Sequence, residues 1–319
     1  ENENAKVANM VQTTALWILF GVIITVMLVI DLGLVQKKVH TVSFKEAGFW
    51  CSLWAGLALV FAGCIWWLEG RETALQFLAG YLLEQSLSVD NMFVFVLIFH
   101  YFNIPERFQP RVLHWGILGA IVMRLIFIAL GVALIRRFHW MIYVFGALLV
   151  YTGIKMAVQS DEHVSPEHNP ALRLLRRFMP MTTTIESQNF FIKVDGILKA
   201  TPLFGALMVV EFSDVIFAID SIPAVIAITS DPFIVYTSNV FAIMGLRAMY
   251  FLLSGLVGMF RYLKSGISLI LCFVGAKMLL SNVYHISTGL SLGVIGLLLA
   301  ASILLSVAAD RAEKKEAAR

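Results

Sequence analysis

Three carboxylates interrupt an apolar stretch of this chain that is long enough to cross a lipid bilayer. They are Glu211, Asp214 and Asp220, and the run that contains them extends from Pro202 to Ile228. One ionised side chain at the centre of a membrane-spanning helix opposes insertion by about 2.5–3.5 kcal/mol, so the three together oppose it by roughly 8–10 kcal/mol. Pairing, protonation or cation binding would remove this penalty. The stretch therefore predicts an ion site inside the membrane.

A second apolar run carries oxygen ligands of the same kind. It contains Glu84, Ser88, Asp90 and Asn91. On a regular helix Glu84, Ser88 and Asn91 share one face, and Asp90 lies beside that face. Carboxylate, amide and hydroxyl oxygens suit magnesium, calcium or manganese, whereas the absence of cysteine and histidine from both motifs argues against copper and zinc. The two runs together predict a site for a hard divalent cation.

The position of Asp220 depends on the proline that follows it. Glu211 and Asp214 lie on one face of a helix because they are three residues apart, but Asp220 lies on another face. Pro223 cannot donate a hydrogen bond to the carbonyl of Ile219, and a helix break there would turn Asp220 inward and expose that carbonyl. The predicted metal ligands are Glu84, Asp90, Asn91, Glu211, Asp214 and Asp220.

Buried bases offer a second explanation for these acids. Arg124 and Arg247 lie near the middles of their apolar runs, and Lys155 and Lys277 lie nearer the ends. Ion pairs with these bases would neutralise four of the five acids named above and leave one negative charge. We favour structural pairing for the arginines, and we expect a bound cation or protons to balance the remaining charge.

The composition is that of a polytopic membrane protein. Hydrophobic residues make up 59% of the chain and charged residues 14%, the mean hydropathy is +0.83, and a net charge of +3 is too small to indicate nucleic-acid binding. Apolar runs of about 20 residues predict an all-α helix bundle with about nine membrane-spanning helices in a single membrane domain, residues 1–319. The predicted spans are approximately 14–34, 48–68, 75–99, 112–135, 140–158, 202–228, 233–256, 262–281 and 289–309.

Basic residues near the ends of the spans predict the orientation. With the N-terminus outside, 16 lysines and arginines lie on the cytoplasmic side and four lie outside. Basic residues accumulate on the cytoplasmic side of membrane proteins, so we predict an outer N-terminus and a cytoplasmic C-terminus. Residues 159–200 form a long polar connection, which we interpret as a solvated cytoplasmic linker. Asp31, near the inner end of the first span, is interpreted as structural.

An internal repeat relates two groups of three spans. The sequence from Gly153 to Met156 recurs in similar form from Gly275 to Met278, Arg124 recurs as Arg247, and all offsets lie between 122 and 124. The copies are residues 75–158 and residues 201–281. An odd number of crossings gives the copies opposite orientations, which predicts an inverted three-plus-three helix repeat of the kind found in secondary transporters, with the site at the membrane midplane.

The two acidic motifs also carry a resemblance to a known family. Glu84-x3-Ser88-x-Asp90-Asn91, the motif from Glu211 to Ala224, and Ser238-Asn239-x-Phe-Ala-Ile-x-Gly-Leu-Arg247 resemble the TerC family, and within it the Alx-type manganese exporters. The resemblance covers nearly all of the membrane region. It implies a bacterial inner-membrane protein that exports manganese, in a family first associated with tellurium resistance. The acids at 84, 90, 211, 214 and 220 match motif positions of that family.

The expected function is export of a divalent metal ion from cytoplasm to periplasm in exchange for protons, with manganese(II) as the transported ion and no resident cofactor. The ligand types alone do not separate manganese from calcium or magnesium, and only the resemblance does. Two alternatives are an exporter of a small cationic or amino-acid solute and a membrane scaffold in a metal or tellurite stress response. An enzyme is not expected, because the spans contain no His-Glu-x-x-His motif and no Gly-x-Ser nucleophile with a base. The oligomeric state is left open.

Overall fold

A computed structural model describes residues 2–30, 43–158, 180–182, 188–194, 196–254, 262–284 and 286–317. Within these ranges the side chains of residues 2–12, 90, 93, 254 and 311–317 are not described. The described part of the chain contains nine α-helices and one two-stranded sheet, which confirms the predicted all-α helix bundle. The interpretation of Asp31, and that of residues 159–179 as linker, lie outside the described residues.

The helices follow the predicted spans closely. They are α1 (Asn2–Ile30), α2 (Phe44–Glu69), α3 (Arg71–Tyr101), α4 (Gln109–Arg137), α5 (Met141–Val158), α6 (Pro202–Ile226), α7 (Pro232–Ser254), α8 (Leu263–Leu279) and α9 (Thr288–Ala317). Eight helices in the described ranges are long and apolar enough to cross a membrane, and α8 has 17 residues. A helix of that length extends about 25 Å, close to the thickness of the bilayer's hydrocarbon core.

Local signals in the sequence set several helix boundaries. The Ser43 hydroxyl accepts a hydrogen bond from the Glu46 amide at 3.2 Å and caps α2. Asp231 accepts one from the Phe233 amide at 2.9 Å at the start of α7. Only Gly70 separates α2 from α3, and its φ of 95° belongs to a region that glycine occupies without strain. These caps and this turn return the chain directly into the bundle.

A β-hairpin lies just before α6. Strand β1 (Phe191–Val194) pairs antiparallel with β2 (Ile197–Ala200), and Gly196 adopts a φ of 78° in the turn. The hydroxyl of Thr201 donates to the carbonyl of Asn189 at 2.9 Å and so holds the hairpin against the start of α6. The C-terminal part of the predicted linker is therefore regular structure. Strands of four residues are too short to be recognised by their alternation.

Six helices, α3 to α8, form the centre of the bundle. Helix α3 packs against α7, α4 against α6, and α5 against α8, while α2 covers α3 and α7 and α9 covers α3 and α8. Helix α7 is the most enclosed, with 89% of its span buried, against 17% for α1 and for α9. Helices α3, α6 and α7, at least half of whose spans is buried, therefore contact protein on most sides, and the other helices have faces available to lipid.

Helices α5 and α8 approach each other at glycines. A Cβ atom added at Gly146 would lie 3.1 Å from the carbonyl oxygen of Gly275, and one added at Gly153 would lie 2.8 Å from the carbonyl oxygen of Ser268. The Ser268 hydroxyl donates to the Gly153 carbonyl at 2.7 Å. These two contacts exchange when residue numbers shift by 122, which is the offset of the repeat. The inverted repeat itself stays a prediction.

We expect Gly275→Ala to destabilise the protein. The new Cβ would lie 2.8 Å from the Gly146 carbonyl oxygen and 2.9 Å from the Val150 amide nitrogen, and backbone atoms cannot move aside separately. Overpacking of this kind costs about 1–3 kcal/mol. Thermal unfolding in detergent should show a lower Tm. Gly293→Ala in α9 is the control, because a Cβ there meets no atom within 4 Å. Equal Tm values for both variants would contradict this packing.

Candidate functional site

Arg124 of α4 is the centre of a buried polar network in the middle of the bundle. The residue is 1% exposed. Its Nη2 and Nε donate to the two carboxylate oxygens of Asp214 in α6, at 2.9 and 3.3 Å. Its Nη1 donates to Oε1 of Glu84 in α3. One guanidinium therefore joins acids from both predicted copies of the repeat, and the structural pairing predicted for Arg124 is confirmed.

Two uncharged side chains complete the surroundings of Arg124. Asn239 of α7 accepts from Nη1 through Oδ1 at 3.1 Å, and the Ser221 hydroxyl lies 3.4 Å from the same nitrogen. Sequence reasoning quoted both residues in the motifs but did not place them in the site. Both residues are polar and lie within apolar runs, which marks them as unusual. Their contact with Arg124 depends on tertiary packing, which spacing along one helix does not predict.

The α3 side of this network has unused hydrogen-bonding capacity. Glu84 Oε2 and the Ser88 hydroxyl, one helical turn apart, are fully buried and have no hydrogen-bond partner among the described residues. Asn91 is buried one turn further along the same face. An unsatisfied buried polar group costs about 1–3 kcal/mol. A proton, a water molecule or a cation between Glu84 and Ser88 would remove that cost.

The formal charges of the network do not cancel. Glu84 and Asp214 carry two negative charges when ionised, and Arg124 supplies one positive charge. A buried charge that lacks a partner is strongly unfavourable in a medium of low dielectric constant. Among these three side chains one negative charge is left over, which a proton or a bound cation would balance. The balance predicted over all five acids and four bases stays a prediction.

Glu211 lies one turn before Asp214 on the same side of α6. It is half-buried against Gly119 of α4, where an added Cβ would overlap the Glu211 carboxylate. None of the described residues forms a hydrogen bond or an ion pair with this carboxylate. The predicted shared face of Glu211 and Asp214 is confirmed, because both acids face α4. Glu211 thus places a carboxylate next to the Arg124 network, and no cation of that network neutralises it.

Asp220 lies apart from Arg124. The Thr152 hydroxyl of α5 donates to its carboxylate at 3.0 Å. Helix α6 continues through Pro223 to Ile226, and the Ala227 amide bonds to the Pro223 carbonyl at 2.9 Å. The predicted break at Pro223 is therefore wrong, since the helix tolerates the loss of one hydrogen bond near its C-terminus. Asp220 consequently faces α5 and meets a hydroxyl there.

The complete predicted ligand set is not described side chain by side chain. The backbone places Asp90 in α3, two residues after Ser88, but its side chain is outside the described part of the structure. Among the residues that are described, no three His, Cys, Asp or Glu side chains come together as a group able to hold a metal ion. The metal role of the six predicted ligands stays a prediction.

Apolar side chains separate the network from both ends of the bundle. On one side a small cavity of about 10 Å³ touches Arg124 and Asp214 and is otherwise lined by apolar side chains and glycine. On the other side Ile128 and Val132 follow Arg124 by one and two turns of α4, within a buried apolar cluster. Beyond them lies a larger cavity of about 530 Å³ at the helix ends. Apolar side chains thus border the network toward both ends.

Comparison with known proteins identifies similar membrane proteins. A family model described as "Integral membrane protein TerC family" matches residues 69–314. A Salmonella typhi protein named "Putative membrane-bound redox modulator Alx" is 51% identical over 296 residues, covering 90% of this chain and 92% of that protein. An uncharacterized membrane protein of Myxococcus xanthus is 50% identical over 301 residues, covering 94% of each chain. Residues 69–314, matched by the family model, include every residue of the Arg124 network.

A plant relative is less similar in sequence and is a longer protein. The "Thylakoid membrane protein TERC, chloroplastic" of Arabidopsis thaliana is 45% identical over 273 residues, which cover 85% of this chain and 70% of that protein. No solved structure matches this chain. The similarity therefore places the chain among membrane proteins of bacteria and of a plant organelle.

We expect Arg124→Gln to lower stability strongly, because Glu84 and Asp214 would both remain buried without their cation. Breaking a buried pair in this way costs about 3–5 kcal/mol. The amount of membrane-inserted protein and the Tm in detergent should both fall. Combining Arg124→Gln with Glu84→Gln and Asp214→Asn should recover part of the loss. Arg137→Gln, at the exposed end of α4, is the control. Wild-type stability of Arg124→Gln would refute the network.

Proposed function

We propose that this chain, which belongs to the integral membrane protein TerC family, carries a divalent metal cation across the membrane. The ion we propose is manganese(II), exported from cytoplasm to periplasm across a bacterial inner membrane. The observation that carries the proposal is the excess negative charge of the buried Arg124 network, where Glu84 Oε2 and Ser88 lack partners among the described residues. With Glu211 ionised as well, the excess is two negative charges, which a hard divalent cation would balance while accepting these oxygen ligands.

The ligands available for such an ion lie on α3 and α6. Glu84, Ser88 and Asn91 offer carboxylate, hydroxyl and amide oxygens from buried positions on one face of α3. Glu211 and Asp214 offer carboxylates from the facing side of α6. We propose that Asp90 joins the α3 ligands, and that Asp220 binds the ion at a separate step of transport. The preference for manganese over calcium or magnesium rests on the family resemblance.

Arg124 has a definite role in this proposal. In the structure, the Arg124 guanidinium donates hydrogen bonds to both Glu84 and Asp214. An arriving cation competes with the guanidinium for these acids, and when the cation leaves, Arg124 takes both carboxylates back. The arginine therefore stabilises the empty site, and it opposes the entry of a second cation by charge repulsion. This exchange keeps both carboxylates paired with a cation throughout the cycle.

Release requires that the site open toward one side at a time. We propose that the two three-helix copies are inverted repeats that rock against each other, with the glycine contacts of α5 and α8 as the crossing point. The apolar layers on either side of the network would then open alternately. Protonation of the carboxylates on the outer side removes their charge and ejects the cation, and deprotonation toward the cytoplasm restores the site.

Thiol chemistry has less support in this chain. Relatives carry the name "Putative membrane-bound redox modulator Alx", and thiol–disulfide exchange within one chain would need two cysteines close together. Cys51, Cys64 and Cys272 are free and half-buried in the described structure. Cys51 and Cys64 are 13 residues apart on one helix, which separates them by about 20 Å. We therefore propose metal transport as the primary activity and do not propose thiol exchange.

We expect Asp214→Asn to abolish transport while leaving the protein folded. The Arg124–Glu84 pair remains in this variant, so the network changes from one excess negative charge to none. A divalent cation then loses its electrostatic partner, and manganese efflux from loaded cells or everted vesicles should stop. We expect the same result for Asp90→Asn. Both variants should be present at near wild-type levels and elute as monodisperse protein in detergent. Normal manganese flux in these variants would eliminate the site.

Glu211→Gln tests the ligands apart from the arginine pairs. This carboxylate has no ion-pair partner among the described residues, so its neutral isostere should leave the Tm unchanged and should reduce flux at least about tenfold if the acid binds the ion. Glu106→Gln, in the short 3₁₀ helix between α3 and α4, is the matched control because Glu106 is exposed at the end of the bundle. A scaffold function would leave flux at background in the wild type as well.

The proposed orientation has an independent test. We propose that the N-terminus lies in the periplasm and that the C-terminus lies in the cytoplasm, because basic residues are concentrated at one side of the spans. A reporter that is active only in the cytoplasm, fused after Arg319, should therefore be active, and a reporter that requires export should be inactive. The reverse pattern would invert the proposed direction of transport.

A further inference from the structure

The larger of the two cavities described above is separate from the Arg124 network. We call it the helix-end cavity. It lies where α3 begins, where α4 and α8 end, and where α9 begins, and its volume is about 530 Å³. Sites for small organic molecules in proteins have volumes of about 300–1,000 Å³. The helix-end cavity is therefore large enough for a ligand, and it lies more than two helical turns of α4 from Arg124.

Exposed aromatic residues surround this end of the bundle. Trp67 is 86% exposed, Tyr284 is 66% exposed and Trp140 is 60% exposed. They lie at the end of α2, after α8 and before α5, which are all at the same end as the helix-end cavity. Tryptophan and tyrosine concentrate at the level of the lipid headgroups in membrane proteins. The cavity is therefore at headgroup depth.

Charges of both signs line the helix-end cavity. Its wall contains one lysine and one arginine, Lys277 in the last turn of α8 and Arg136 in the last turn of α4. It also contains one acid, Glu72 in the first turn of α3. Lys277 is half-buried, and no described residue forms an ion pair with it within 4 Å. Ser281 and Thr288 add hydroxyl groups. The wall thus presents two cations, hydroxyl donors and one carboxylate, and Glu72 is close enough to Lys277 to interact with it electrostatically.

The deeper wall of the helix-end cavity is apolar. Ile135, Ile226 and Met278 are buried side chains that line it. They belong to the apolar layer that separates the cavity from the Arg124 network. A ligand that fits this wall has an apolar portion next to its charged portion. Inorganic ions lack such a portion, whereas the glycerol and acyl groups of a phospholipid provide it.

We infer that the helix-end cavity binds the headgroup of a zwitterionic phospholipid with a primary amine, of the phosphatidylethanolamine type. The phosphate diester accepts hydrogen bonds from Lys277 and Arg136, and the headgroup ammonium donates to Glu72. Basic pockets between membrane-spanning helices are known to bind lipid headgroups, chiefly on the cytoplasmic side. Glu72 supplies the further selectivity, because a quaternary choline ammonium has no N–H to donate and a glycerol headgroup carries no positive charge.

Native mass spectrometry of the purified full chain tests this inference. Phosphatidylethanolamine, phosphatidylcholine and phosphatidylglycerol with identical acyl chains are added separately, and the bound lipid is counted. We expect phosphatidylethanolamine to bind the wild type best. Lys277→Gln should weaken binding of all three lipids, about fivefold for the loss of one cation near a lipid phosphate. Glu72→Gln should remove the advantage of phosphatidylethanolamine over phosphatidylcholine and leave phosphatidylcholine binding unchanged.

Two further arms make the result decisive. Lys155→Gln is the matched control, because Lys155 is the counterpart of Lys277 in the repeat and does not line the helix-end cavity. Equal losses in Lys155→Gln and Lys277→Gln, or equal binding of the three lipids to the wild type, would overturn the inference. Inorganic phosphate is added in lipid-free detergent as the other arm. A Lys277-dependent rise of the Tm with phosphate, without lipid selectivity, would assign the cavity to free phosphate instead.

Discussion

A guanidinium that is 1% exposed in the middle of an apolar bundle is the constraint on which the rest of this structure depends. Arg124 is buried away from bulk solvent, so its hydrogen-bond donors need acceptors at fixed positions. These acceptors come from α3, α6 and α7. The rotation and the height of four helices are therefore coupled through one side chain, and the fold of the bundle and the geometry of the candidate site have the same origin.

The glycines show how unevenly the bundle is packed. A Cβ at Gly119 or Gly275 would collide with a neighbouring helix, whereas a Cβ at Gly21, Gly63 or Gly293 would meet nothing within 4 Å. The first group lies in the central helices, and the second lies in α1, α2 and α9. Helices α5 and α8 therefore contact each other backbone to backbone at Gly275, and at Gly119 helix α4 makes room for the Glu211 side chain of α6. Close packing is concentrated around the polar network.

Much of this arrangement could be predicted from the sequence because the membrane imposes strong rules. Runs of apolar residues gave the helix positions, and acids within such runs marked Glu84, Glu211 and Asp214 for a common site. Asn239 and Ser221 were not assigned to it, because their contact with Arg124 depends on how α6 and α7 rotate against α4. Asp220 was expected to turn inward at Pro223, but a proline so close to the end of α6 removes only one hydrogen bond. Spacing along a helix predicts faces, and it does not predict which neighbour covers each face.

The separation of these partners along the chain has a consequence for biosynthesis. Glu84 precedes Arg124 by 40 residues, whereas Asp214 follows it by 90. During translation Glu84 is therefore already available when α4 enters the bilayer, and the two can insert as a neutral pair. At typical elongation rates Asp214 is synthesised roughly 5–20 s later. During that interval Arg124 lacks the Asp214 carboxylate, and the arrival of α6 supplies it. Glu84 thus serves as the counter-ion of Arg124 in the nascent chain until Asp214 is synthesised.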